Sequence, residues 1–210
     1  TRVDTMSNIK RICVFCGSSP GLKPEYVSAA AEMGRALASK NIGLVYGGGK
    51  VGLMGAVANA ALDAGGEVTG VIPGSLVQKE VAHLGLTDLR VVETMHERKA
   101  LMASLSDGFI AMPGGLGTIE EFFEIVTWAQ LGFHNKPCGL LNVSCYYDHA
   151  ISFLDHAVDE MFLQSGARSL ILADETPDGL LRKFEKFSPP CCDKAGWALS
   201  LSDRLIKNKN

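Results

Sequence analysis

The chain has 210 residues, of which 47% are hydrophobic and 20% charged, with a formal net charge of −3. That balance suits one globular domain with a sizeable core, and the absence of a basic stripe argues against an electrostatic grip on a nucleic-acid polymer. No apolar run approaches the roughly 20 residues of a membrane span, and the polar stretch Thr1 to Ser7 shows no signal-peptide pattern, so no membrane partner is expected, and the six cysteines, read as reduced thiols, suggest a cytosolic protein, with the nucleus as an additional compartment.

In chain order, apolar strands alternate with helical segments. Ile9 to Phe15 reads as a strand, followed by a turn at 17–21 and an alanine-rich helix from Tyr26 to Ser39. Ile42 to Tyr46 is a short apolar strand that runs into Gly47-Gly48-Gly49, and Leu53 to Ala64 is a helix of small residues. Glu67 to Ile72 is a strand, 75–88 is irregular and polar, Leu89 to Val92 is a short strand, and Met95 to Ser106 is a helix. Then come strand 108–112, helix 119–131, strand Cys138 to Leu141, helix Tyr147 to Phe162, strand Ser169 to Leu172 and helix Asp178 to Lys186. The strands are continuously apolar, which means burial on both faces. The fold class is therefore α/β, a Rossmann-like doubly wound parallel sheet with helices on both faces. One nucleotide-binding domain is expected over 1–210, its core about 9–187. Residues 188–210 form an appendage with a possible helix near Trp197 to Ile206.

In open parallel sheets, ligands sit beyond the carboxyl ends of the strands. Glycine turns follow strand ends at 17–21, 47–52 and 113–117, and all should lie on one edge. The third is the most informative. Pro113-Gly114-Gly115-Leu116-Gly117-Thr118 leads from a strand into a helix, so bare amides, a hydroxyl and a helix N-terminus converge where a phosphate would be held. Thr118 and Glu121 have capping-box spacing, so Glu121 reads equally as a catalytic acid or as a cap. On the helical wheel Ile119, Phe122, Phe123 and Val126 form the sheet-facing stripe. Glu121 falls opposite with Ile125 and Trp128, a second face apolar enough to meet another surface.

The second turn, Gly47-Gly48-Gly49-Lys50-Val51-Gly52, fits G-x-G-x-x-G, and Glu67 lies near the distance of a ribose-binding acid. It occupies the second strand–helix unit, whereas a dinucleotide fingerprint belongs in the first. A close-packing turn and a phosphate or ribose contact both remain open, and a nicotinamide oxidoreductase is a distant reading. Arg98 shares a stripe with Met95, Leu101, Met102 and Leu105, so it either snorkels or serves a buried anion such as Glu121 or a substrate phosphate. Cys13 and Cys16, three apart on a strand, should point to opposite faces as reduced thiols. The histidines show no ligand spacing, so no metal is expected. No Gly-x-Ser-x-Gly elbow occurs, and no cysteine has an evident histidine base.

Several motifs together resemble the LONELY GUY (LOG) family. They are Tyr46-Gly-Gly-Gly, Gly52-Leu53-Met54-Gly55, Gly70-Val71-Ile72-Pro73, Met95-His-Glu-Arg98-Lys99 and Pro113 through Glu121, continued by Thr127-Trp128-Ala129-Gln130-Leu131-Gly132 and Lys136 through Asn142. The resemblance implies cofactor-free cleavage of the N-glycosidic bond in cytokinin riboside 5′-monophosphates. It implies a catalytic pair at Arg98 and Glu121. It implies substrate contacts at Glu80, Arg98, Lys99, Gly115, Leu116, Gly117, Thr118, Ile119, Glu120, Glu121 and Thr127, and a homodimer. The family has also been labelled lysine decarboxylase, although no lysine here sits in an evident pyridoxal phosphate setting. A related branch of the same fold carries molybdenum cofactor; that binding-module reading lacks a use for the Arg98–Glu121 pair.

Overall fold

The computed structural model describes residues 9–77, 82–190 and Trp197. Seven strands form one parallel sheet in the order β4-β3-β2-β1-β5-β6-β7. They are β1 (Arg11–Phe15), β2 (Gly43–Tyr46), β3 (Val68–Pro73), β4 (Asp88–Val92), β5 (Gly108–Ala111), β6 (Cys138–Leu141) and β7 (Ile171–Asp174). The helices are α1 (Pro24–Ser39), α2 (Gly52–Asp63), α3 (Met95–Leu105), α4 (Leu116–Gln130), α5 (Asp148–Asp159), α6 (Ser165–Arg168) and α7 (Pro177–Glu185).

The two-faced burial expected from continuous apolar strands is present. Ile12 and Val14 of β1 enter one core with α1, α2 and α7, while Cys13 and Phe15 enter the other with Met102 of α3, Phe122 and Ile125 of α4 and Leu154 of α5. Cys13 and Cys16 accordingly pack against different cores and remain unpaired thiols. Burial pushes both thiols up, with the Glu121 carboxylate adding to it. Cys138 is pushed up to about 12, again mainly by burial.

The chain winds outward from β1 through β2, β3 and β4, then crosses back to place β5 on the other side of β1. The winding reverses between β1 and β5, which opens a crevice at their carboxyl ends. Phe15 is paired with Ala111 there, so the turn after β1 and the turn after β5 leave the sheet side by side.

Three expectations need correction. The helix expected over 119–131 begins at Leu116, with Gly115 as its N-cap and no side-chain cap. Thr118 is therefore inside the first turn, and Glu121 lies beyond the position a capping box requires. Second, the sheet-facing stripe of α4 is Thr118, Phe122, Ile125, Val126 and Ala129, with Ile125 only 2% exposed. Ile125 is core rather than part of a second face, and Glu121, one turn before it, lies beside the core stripe and not opposite it. Third, Ser165–Arg168 forms a short helix, which moves the following strand to Ile171–Asp174. The expected tail helix lies outside the described residues except for Trp197.

Candidate active site

The three glycine turns meet as one assembly. Gly17 N–H donates to Pro113 O at 3.0 Å, and Leu53 N–H donates to Gly17 O at 3.0 Å. Gly52 (φ +60°) lies so close to Ser18 that a β-carbon there would come within 2.3 Å of the Ser18 carbonyl. Together they bound a cleft of about 270 Å³. Its walls include Gly17 and Ser18 after β1, Gly47 and Met54 from the second unit, and Gly115 through Thr118 with Glu121 from α4, while Arg98 of α3 closes it.

Arg98 is 6% exposed, which excludes the snorkelling alternative. Its helix opens with a capping box: Thr94 Oγ1 accepts Glu97 N–H, and the Glu97 carboxylate accepts Thr94 N–H. That box fixes the first turn of α3, from which Arg98 projects to the ends of β2 and β3. There its Nε donates to Val71 O at 3.1 Å and its Nη2 to Gly47 O at 3.2 Å. Nη1 stands 3.4 Å from Glu121 Oε1. Gly47 makes this possible, because a β-carbon at that position would lie 2.2 Å from Nη2. The G-x-G-x-x-G pattern thus acts as a close-packing turn: its first glycine seats a guanidinium and its last seats the neighbouring turn.

Glu121 has 12% of its side chain exposed, so it reaches the cleft from a largely desolvated position with Arg98 as counter-ion. The first-turn amides of α4 have no intrahelical acceptor and no side-chain cap, and Gly115 and Gly117 leave the approach to them clear. They form the electropositive end of the helix at the mouth of the cleft. Cys16 also lines the wall; its raised pKa keeps it a neutral thiol.

The structure groups Arg98, Glu121, Gly115, Leu116, Gly117 and Thr118 around the cleft. It does not place the other implied contacts there. Lys99 turns to the outer side of α4, 2.8 Å from Glu120 Oε1 and 2.9 Å from Glu124 Oε2. Its pKa is raised, chiefly by the hydrogen bond to Glu120. Thr127 is exposed and donates to Phe123 O at 2.7 Å within the helix. Ile119 is partly buried against the core. Glu80 lies outside the described residues, although the residues just after it are tied to the second turn by Ala82 opposite Gly49 and by His83 N–H on Gly48 O at 2.9 Å. The wall residues Gly17, Ser18 and Met54 were not singled out from sequence; the signal available was that two of them sit in a glycine turn at a strand end.

Residues 54–184 match the family model described as "Possible lysine decarboxylase". Among the described residues the cleft is lined by no lysine that could carry a Schiff base. The chain is similar to cytokinin riboside 5′-monophosphate phosphoribohydrolase LOG3 of Arabidopsis thaliana, 51% identical over 183 residues, covering 87% of this chain and 85% of the relative. It is also similar to the probable cytokinin riboside 5′-monophosphate phosphoribohydrolase LOGL6 of Oryza sativa subsp. japonica, 52% identical over 183 residues, covering 87% and 73%. Among solved structures, the molybdenum cofactor carrier protein of Chlamydomonas reinhardtii shares the fold with a TM-score of 0.63 at 21% identity, covering 85% of this chain and 98% of that one. At that identity the likeness speaks for the fold alone, whereas half-identity over 183 residues to the phosphoribohydrolases shows the family. The chain belongs to the LOG family of cytokinin riboside 5′-monophosphate phosphoribohydrolases.

Proposed function

We propose that this chain hydrolyses the N-glycosidic bond of cytokinin riboside 5′-monophosphates, which are N6-substituted AMP, and releases the free base and ribose 5-phosphate. The observation that carries this reading is the buried Arg98–Glu121 pair, 3.4 Å apart, set beside an uncapped helix N-terminus in one cleft. The 5′-phosphate binds the first-turn amides of α4 and the Thr118 hydroxyl. That anchoring brings the sugar's anomeric carbon to Glu121. As the bond from C1′ to the base nitrogen breaks, its electron pair leaves with the base and positive charge builds on the sugar ring. The Glu121 carboxylate faces that charge and orients the attacking water. Water oxygen bonds to C1′, and the proton it loses balances the charge on the departing base. Arg98 pairs with Glu121 and holds it in place.

The working unit is proposed to be a homodimer. Large apolar side chains are exposed on and just after α4, with Leu116 90% and Phe133 74% exposed. Light scattering at micromolar concentration should give a dimer mass; a monomer would contradict it. The proposed compartment is the cytosol, supported by the unpaired thiols of Cys13, Cys16, Cys138 and Cys145.

Incubation with isopentenyladenosine monophosphate and with AMP, followed by chromatography, tests the reaction. Free base and ribose 5-phosphate should appear in equal amounts. Tight nucleotide binding without base release would support a carrier instead.

A further inference from the structure

Three successive carbonyl oxygens at the exit of β5 are each occupied by a donor from elsewhere in the chain. The Tyr147 hydroxyl donates to Met112 O at 2.6 Å, Gly17 N–H to Pro113 O at 3.0 Å, and the Tyr146 hydroxyl to Gly114 O at 2.6 Å. The third has the most direct bearing on the cleft. Tyr146 lines a neighbouring cavity of about 330 Å³, bordered also by Ser19, Gly21, Tyr26 and Leu53, which shares Gly17, Ser18 and Gly115 with the cleft. In a planar trans peptide the C=O and N–H point in opposite directions. Holding Gly114 O toward Tyr146 therefore turns Gly115 N–H away from Tyr146, at a residue that stands between the two cavities and lines both.

The linkage sits at a Gly-Gly peptide, where rotation of the peptide plane meets the least steric resistance. A reversed Gly114–Gly115 peptide would present a carbonyl oxygen where an anion is to bind. The tyrosine itself is delivered with some strain. Ser144 (φ 49°) and Cys145 (φ 61°), consecutive non-glycine residues, lie in the left-handed region just before it. Asn142 holds this bend, its Oδ1 accepting Tyr147 N–H and its Nδ2 donating to Asp148, both at 2.7 Å. The Tyr146 ring meets Tyr26 and Tyr147 edge-on, with centroids 5.7 and 5.0 Å away.

We propose that Tyr146 is a positioning residue of the phosphate loop: its hydroxyl locks the Gly114–Gly115 peptide with the amide directed at the substrate's phosphate. This rests on the reading above that the phosphate binds at the start of α4. Tyr146→Phe keeps the ring and its edge contacts and removes only the hydroxyl. It should raise KM for the nucleotide and the inhibition constant of ribose 5-phosphate together by about tenfold, the worth of one such hydrogen bond. Turnover number and melting temperature should stay near wild type. Tyr26→Phe, which keeps its ring against Tyr146, should behave as wild type throughout. If ribose 5-phosphate inhibits wild type and Tyr146→Phe equally, the lock is refuted while the phosphate site stands. If it inhibits neither, the phosphate reading falls and the lock with it. A lowered melting temperature with unchanged inhibition would make Tyr146 merely structural and would also refute the proposal.

Discussion

Glu121 owes its role to two neighbours that sequence spacing alone did not decide between. Thr118 and Glu121 look like a capping box, yet Gly115 is the N-cap of the helix, and Glu121 lines the cleft instead. Arg98 then supplies the partner that a nearly buried carboxylate requires. Glu121→Gln keeps the side-chain shape and removes the charge. We expect its turnover number to fall at least ~10²-fold while the melting temperature stays close to wild type. Steady-state kinetics with calorimetry checks this, and near-normal turnover would remove Glu121 from the mechanism. Arg98 is less replaceable, because it also ties the ends of β2 and β3 through Gly47 O and Val71 O. That dual duty explains why its place in an apolar stripe was ambiguous on the wheel: the acceptors come from residues 27 and 51 positions away.

At the level of elements, the close contact of α1 with α2 supports the glycine turns from below. Gly34 of α1 lies against the backbone of α2, where a β-carbon would come within 2.4 Å of Val57 O and 2.8 Å of Ala61 N. Gly34→Ala forces the helices apart and should destabilise the protein by ~1–3 kcal/mol, read by urea denaturation. An unchanged midpoint would show that α1 can shift freely. Much of the layout was legible in the sequence, since alternating apolar strands and glycine stops are local signals. The β6 boundaries agree fully, and most others lie within two residues. The start of α4 was not legible, because Gly114, Gly115 and Gly117 read as one continuous turn by propensity, whereas the helix already begins at Leu116, between the last two. The stripe of α4 was misassigned for a related reason: Ile119 and Phe123 are as apolar as Ile125, and only the docking of α4 on β1 and β5 selects Ile125 for the core. Likewise, nothing local to Lys99 announces that Glu120 and Glu124 claim it from another helix.

Across the whole molecule, the reversal of winding between β1 and β5 gathers distant turns into one site, and polar groups away from that site tie the elements together. His134 joins the end of α4 to the segment before β6. Its Nε2–H donates to Ile125 O at 3.0 Å and its Nδ1 accepts Lys136 N–H at 3.1 Å, so the neutral ring is fully bonded. Burial lowers its pKa below the usual 6.5, with the Lys136 charge a lesser cause. The unfolded chain therefore takes up this proton first as pH falls. The stabilising contribution is complete above about pH 6.5 and is lost as pH drops toward the lowered folded value. Melting temperatures from pH 8 to 5 should decline less steeply for His134→Gln than for wild type; parallel curves would assign the decline to other groups. The central claim is that one loop anchors a phosphate while an acid in the following helix confronts the sugar. A crystal structure of the protein with ribose 5-phosphate tests it most directly. We expect the phosphate on the amides that open α4 and the anomeric carbon beside the Glu121 carboxylate; a sugar bound elsewhere, or Glu121 turned away from it, would contradict the account.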